Sequence, residues 1–269
     1  SLAKSFDFGL DMSASYTFGR SKSVNDGTSS VAYSNWKYNY SRDTNSENEL
    51  GFSKFDVPHR LMAQLSYTTP KYLNGWTSTT ISVIYNGFSG SRYSLTMNEV
   101  SDFNGDGQKG NSLLYIPTEA EMDNMNFVDY TDQKTGKLIM SAADSRKAFT
   151  EWVNNDDYAK NHRGQYAERN SNLSNWEHEI DLHLAQTIYN AQGLGKLEFT
   201  FDIIHFANML NKKWGASYSS AYNLSPLTVV SLSTDENGNR NPGYAFNNAK
   251  INKSDISSRW HAQVGIRLT

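Results

Sequence analysis

The sequence predicts an all-β fold: a transmembrane antiparallel β-barrel with long extracellular loops, to which residues 1–269 contribute about six strands. Three observations carry that expectation. Six segments alternate apolar and polar residues with a period of two. No apolar run reaches the roughly 18 residues that a membrane-spanning helix needs. The connections between the alternating segments are long and short in turn. Periodicity has to decide, because 38% hydrophobic residues and a mean hydropathy of −0.65 would by themselves suggest a soluble protein. Barrel strands escape such averages, since every second residue faces water.

The first segment sets Phe6, Phe8, Leu10, Met12, Ala14, Tyr16 and Phe18 on one parity, against Asp7, Gly9, Asp11, Ser13, Ser15 and Thr17. From Phe8 to Phe18 the chain extends roughly 33 Å at about 3.3 Å per residue. Tilted by about 40°, this projects to roughly 25 Å, the height of a barrel's apolar band. The second segment sets Leu61, Ala63, Leu65 and Tyr67 against Met62, Gln64 and Ser66. The third sets Thr79, Ile81, Val83 and Tyr85 against Thr80, Ser82, Ile84 and Asn86. In the fourth, Trp176, His178, Ile180, Leu182, Leu184 and Ile188 oppose Glu177, Glu179, Asp181, His183 and Thr187. The fifth opposes Leu197, Phe199, Phe201 and Ile203 to Glu198, Thr200 and Asp202. The sixth opposes Trp260, Ala262, Val264, Ile266 and Leu268 to Arg259, His261, Gln263 and Arg267. Charges fall almost entirely on the second parity. On a lipid face each would cost about 2–4 kcal/mol near mid-bilayer, whereas a wet lumen accepts them. His178 shares the apolar parity, so it is expected near a membrane interface.

The connections sort by rim. Phe18 to Leu61, Tyr85 to Trp176 and Ile203 to Trp260 are long; Tyr67 to Thr79 is short, through Pro70 and Asn74-Gly75. Ile188 to Leu197 is also short, through Ala191-Gln192-Gly193-Leu194-Gly195-Lys196. An up-and-down barrel with elaborate loops on one rim and tight turns on the other gives this order. Inside the long loops, Thr118 and Glu121 have capping-box spacing before a short helix through Met125. Ser141 is placed to cap a second helix, with Ala148, Phe149, Trp152 and Val153 as an apolar stripe packed inside a folded loop.

Few residues suggest chemistry. Asp102, Asn104 and Asp106 alternate as oxygen donors, with Gly107 where a calcium loop turns sharply. Leu113 stands where the bidentate glutamate of such a loop belongs, and Asx residues also make ordinary turns on their own backbone. Both readings stand, and calcium is the one cofactor the residues suggest. With no cysteine, disulfides and thiolate metal sites are excluded. The six histidines show no metal spacing. No nucleophile elbow, phosphate-binding glycine loop or zinc-protease motif is present. Glu177, Glu179 and Asp181 form an acidic row expected to set the field of the lumen or to bond a plug rather than to catalyse. The protein is therefore read as a non-enzyme, and a net charge of −3 gives no sign of a nucleic-acid partner. The chain opens within a strand pattern and lacks a signal peptide, so it is expected to be part of a longer polypeptide.

Six short motifs in order carry a resemblance. They are Ser15-Tyr16-Thr17-Phe18 with Asp26-Gly27-Thr28 and Asn35-Trp36, then Phe55-Asp56-Val57-Pro58-His59-Arg60, then Phe88-Ser89-Gly90 with Tyr93-Ser94. Asn104-Gly105-Asp106-Gly107 through Leu114-Tyr115-Ile116-Pro117 follows, then Arg169-Asn170 with Trp176 and Ile180-Asp181-Leu182, then Asn208-Met209-Leu210-Asn211 before Trp214-Gly215. Together they resemble the C-terminal barrel region of TonB-dependent outer-membrane receptors, especially the Oar-like branch of Bacteroidota. Two positions depart from that pattern: Arg92 stands for a proline and Ser112 for an aspartate. The resemblance implies a bacterial outer-membrane location and a 22-stranded barrel around an N-terminal plug. It also implies uptake of a bulky nutrient driven by the TonB complex, with plug and TonB box outside this chain. Expected partners are outer-membrane lipid, the rest of the barrel and its plug, the TonB complex and a surface lipoprotein. The family usually ends in an aromatic, and Thr269 falls on the lumen parity, so a lipid-facing aromatic is expected to follow it. The alternative is a structural or adhesion barrel that displays its loops without active transport.

Overall fold

A strand that alternates in polarity leaves each face a different task, and the observed pairing keeps the two tasks apart. The computed structural model describes residues 1–44, 48–100, 102–132, 134–189, 195–218 and 222–269. Among them are ten strands of four or more residues: β1 (Leu2–Ser5), β2 (Leu10–Phe18), β3 (His59–Thr68), β4 (Thr77–Phe88), β5 (Arg92–Glu99), β6 (Glu177–Ile188), β7 (Leu197–Ile204), β8 (Asn223–Thr234), β9 (Arg240–Phe246) and β10 (His261–Leu268). The helices are α1 (Ala32–Lys37), α2 (Glu119–Asn124), α3 (Ala142–Asn155), α4 (Phe206–Leu210) and α5 (Asp255–Ser258).

Seven strands form one antiparallel sheet in the order β1-β2-β3-β4-β6-β7-β10. β1 pairs only with β2 and β10 only with β7, so the sheet is open and no closed barrel forms among the described residues. The register preserves the alternation from strand to strand. Met12, Leu65, Val83, Leu182, Ile203 and Ala262 line up as one row, and the next row is Asp11, Ser66, Ser82, His183, Asp202 and Gln263. A slip of one residue anywhere would exchange the two faces.

The six strands predicted from alternation are β2, β3, β4, β6, β7 and β10. The first is shorter than its pattern implied. Phe6 to Gly9 form a turn, in which the Phe6 N–H donates to the Leu10 carbonyl at 2.8 Å and Gly9 adopts φ +95°. A side chain at Gly9 would overlap the Thr68 carbonyl. The alternation of Phe6 and Phe8 therefore continues through a turn, and β1 folds back as a seventh strand. On the same rim, β3 and β4 are joined through left-handed Leu73, Asn74 and Gly75. The turn predicted at Ala191-Gln192-Gly193-Leu194 lies outside the described residues.

The long loops fold into a layer with a core of its own. β5 continues the line of β4 past Gly90, pairs with the two-residue strand Asn172–Leu173, and on its other side pairs in parallel with β8, which pairs with β9. Leu95, Met97, Leu227 and Val229 from this second sheet pack with Leu114, Ile116, Met122 and Phe127. Helix α3 adds Phe149 and Val153, both fully buried. Burying each such side chain contributes about 1.5–3 kcal/mol, which is what a loop this long needs to stay folded. Both predicted helices are present. Thr118 and Glu121 form the reciprocal capping box of α2, and the Ser141 hydroxyl accepts from the Asp144 N–H at the start of α3.

Candidate functional site: two faces of a sheet and the rim above them

One face of the seven-stranded sheet is apolar and open. Met12, Leu65, Val83, Phe199 and Phe201 are exposed, as is Val264 at 81%. Water-soluble monomers rarely leave a contiguous face of this kind uncovered, whereas hydrocarbon is its natural solvent. Where the long loops leave the sheet, the apolar face ends in a chain of rings. The Tyr16 hydroxyl lies 2.7 Å from His59 Nδ1, and the His59 ring stacks on Trp176 at 6.0 Å. Trp176 stacks on His178, whose Nδ1 lies 2.8 Å from the Tyr85 hydroxyl. Phe18 packs against His59 from the other side. Rings with a polar edge belong at the boundary between hydrocarbon and water. His178 thus lies in the ring belt at the end of the apolar face, and His59 shares the belt because it lies on the parity of Leu61.

The opposite face is a hydrogen-bonded polar ladder. Arg60 donates to Asn86 Oδ1 at 3.1 Å, and Asn86 donates to Glu179 Oε2 at 2.8 Å, linking three strands. Ser66 and Ser82 share a 2.8 Å bond, His183 pairs with Asp202, and Gln263 donates to the other Asp202 oxygen. The acidic row has separate structural tasks. β7 stops opposite the middle of β6, and residues 205–218 take its place beside the upper half of β6. Asp181 accepts the His205 N–H at 2.8 Å, and Glu177 accepts the Tyr218 N–H at 3.1 Å. The three carboxylates therefore bind different elements and do not converge on a nucleophile.

Above the belt, three of the motifs meet. Arg92 pairs with Asp56 at 2.8 Å, both side chains almost fully buried, and lies over the Phe52 ring. It also donates to the carbonyls of Asn170 and Ser171. Asp56 accepts the Ser21 N–H through its second oxygen. Arg169 reaches Asn39 Oδ1 and the carbonyls of Ser23 and Glu49. Left-handed Asn170 exchanges bonds with Ser94 and donates to the Phe52 carbonyl. Residues far apart in sequence thus clamp the loop layer onto the ends of β2, β3 and β4.

Asp102, Asn104 and Asp106 come together in one tight turn. Asp102 accepts the Gly105 and Gly107 N–H groups at 2.7 and 2.9 Å, Asn104 accepts the Asp106 N–H, and Asp106 accepts the Gln108 N–H. These are Asx turns. Among the described residues no three His, Cys, Asp or Glu side chains come together to hold a metal ion.

A family model described as an outer membrane beta barrel domain matches residues 1–242. Neither the curated proteins nor the solved structures searched contain a match. The match agrees with the open apolar face, the ring belt and the polar ladder, and it places the protein in the outer membrane. The chain belongs to the outer membrane beta barrel domain family.

Proposed function

We propose that this chain is the C-terminal wall of a TonB-dependent outer-membrane receptor of the Oar-like branch of Bacteroidota, importing a bulky nutrient. Further strands of the same polypeptide would pair with the edges β1 and β10, since lipid offers unpaired backbone groups no partner. The resemblance sets the total at 22 strands around a plug. The observation that carries the reading is the rim clamp: Asp56, Ser94, Arg169 and Asn170 come from three of the motifs that suggested the family, and they meet in one buried cluster around Arg92, which departs from the family's pattern. On this reading the polar ladder lines the lumen, and the clamp holds the loop layer above it for ligand or a surface lipoprotein. The acidic row braces the wall and has no catalytic task.

The test is uptake in cells carrying the full-length protein. Import should require a TonB box upstream of this segment and should stop when the inner-membrane proton gradient is collapsed. A second reading is a structural or adhesion barrel that only displays its loops, and the separately packed core of the loop layer favours it. That barrel would have no TonB box, and its surface binding would survive loss of the gradient.

A further inference from the structure

Asn208-Met209-Leu210-Asn211 before Trp214-Gly215, the last of the motifs, lies where β7 gives way beside the upper half of β6. Its own side chains fold it into a tight loop. Asn208 Nδ2 donates to the carbonyls of Lys212 and Trp214, both at 3.2 Å, and Asn211 Oδ1 accepts the Lys213 N–H at 3.0 Å. Gly215, at φ +59°, lays the loop against β6: a Cβ there would stand 3.5 Å from the His178 carbonyl oxygen. Trp214 is left 55% exposed, beside Trp176 and His178 of the ring belt. Between them lies an open cavity of about 340 Å³, lined also by Ile180, Lys213 and Tyr218. Trp176, His178 and Ile180 share the apolar parity, so the cavity opens on the lipid side of the sheet and leads from the belt into the apolar band.

An anchoring belt needs rings, but neither a cavity nor a charge. Here both are present. No carboxylate lines the cavity. Lys253, whose backbone pairs with Tyr218, brings its Nζ to the Lys212 carbonyl at 2.6 Å, next to Lys213. Among the described residues neither Lys213 nor Lys253 forms an ion pair. Further strands would join the sheet at its edges, in its own plane, and so leave this outward side uncovered. Its occupant is therefore a membrane lipid. Two ammonium groups at the level of the belt attract an anionic headgroup. The negative ring faces of Trp176, Trp214 and Tyr218 suit the C–H groups on the face of a sugar ring. Ile180 continues the wall into hydrocarbon and suits an acyl chain. We propose that this cavity binds a phosphorylated glycolipid of the outer leaflet, with its phosphate at Lys213 and Lys253, a sugar ring against Trp214 and a chain descending past Ile180. A phospholipid without sugar would use the charge and leave the rings without a partner. The leaflet follows from the long loops, which such barrels carry on their outer side. The inference holds whether or not the barrel imports anything.

The test uses the full-length protein in detergent, freed of lipid and titrated with diphosphoryl lipid A while native mass spectrometry counts the bound molecules. Lys213→Gln should weaken retention about fivefold and Lys213→Gln with Lys253→Gln about thirtyfold, the losses expected for one and two cations beside an anionic headgroup. Lys71→Gln, between β3 and β4 at the opposite rim, should leave it unchanged. Lipid A stripped of its phosphates should bind the unaltered protein as weakly as lipid A binds the double variant. Phosphatidylglycerol, a phosphate without a sugar ring, should bind more weakly than lipid A and be indifferent to Trp214→Ala, which should weaken lipid A. If Trp214→Ala does not fold, Lys213→Gln carries the comparison, since that side chain is exposed. Undiminished retention of lipid A in the double variant, phosphatidylglycerol held as tightly as lipid A, or displacement of lipid A by inorganic phosphate would overturn the proposal.

Discussion

The carboxylate of Asp56 and the guanidinium of Arg92 meet at 2.8 Å with side chains only 3% and 6% exposed, joining the start of β3 to the start of β5. Removing one partner of such a pair strands a buried charge, at a cost of about 3–5 kcal/mol. Arg92→Met should therefore loosen the loop layer by roughly that amount while the membrane sheet stays folded. Hydrogen exchange is the measurement: amides of Tyr93–Met97 should lose protection and those of Leu182–Ala185 should keep it. The double variant Asp56→Leu with Arg92→Met should recover part of the loss.

The ring belt fixes the depth of the sheet. Trp176 lies between His59 and His178, and each stacked pair contributes about 0.5–1.5 kcal/mol beyond burial. Trp176→Ala should lower the stability of the membrane sheet by about 1–3 kcal/mol in a urea titration in vesicles. Fluorescence from Trp176 and Trp260 should be quenched by bromine near the lipid carbonyls and spared by bromine near the end of the acyl chain.

Two carboxylates in the loop layer should respond to pH in opposite senses. Burial first, and then the charges of Asp102 and Asp106, push the Glu99 carboxyl above its ordinary range, against hydrogen bonds from Ser112 and Gly110. Its folded value exceeds its unfolded value, so its contribution is present at low pH and is lost as pH rises through the folded value. For Asp26, burial acts to raise the value, but bonds from the Lys54 N–H, Ser53 and Ser23 and the Lys54 charge outweigh it and hold the carboxyl low. Asp26 therefore stabilises above the ordinary carboxylate range and ceases to as pH falls through its folded value. Protection around Gly110 should improve from pH 7 towards pH 5. Asp26→Asn should flatten the response around Lys54 below pH 4 and leave that at Gly110 unchanged.

The membrane strands were legible because lipid and water impose the alternation directly, residue by residue, from Leu61 to Tyr67 and from Leu197 to Ile203. The helices α2 and α3 were legible because Thr118 and Ser141 cap them through local bonds. Phe6 and Phe8 misled because a turn can continue a parity without continuing a strand. The second sheet was hidden for a different reason. β8 pairs in parallel with the distant β5, contains Pro226 and shifts register between Leu224 and Leu227, so no local period marks it. Asp102, Asn104 and Asp106 announced their turn through spacing. Glu99 did not announce its bond from the Gly110 N–H, because that contact follows from the path of β5 alone.

The central claim is that neighbouring side chains in the seven-stranded sheet meet different solvents. The chain has no cysteine, so single cysteines along Leu61–Tyr67 can carry a spin label without background. Relaxation by oxygen, which concentrates in hydrocarbon, should dominate at Leu61, Ala63, Leu65 and Tyr67. Relaxation by a water-soluble nickel complex should dominate at Met62, Gln64 and Ser66. A flat profile, or low accessibility to both reagents on the Leu65 parity, would mean that this face packs against protein, and the membrane assignment would be wrong.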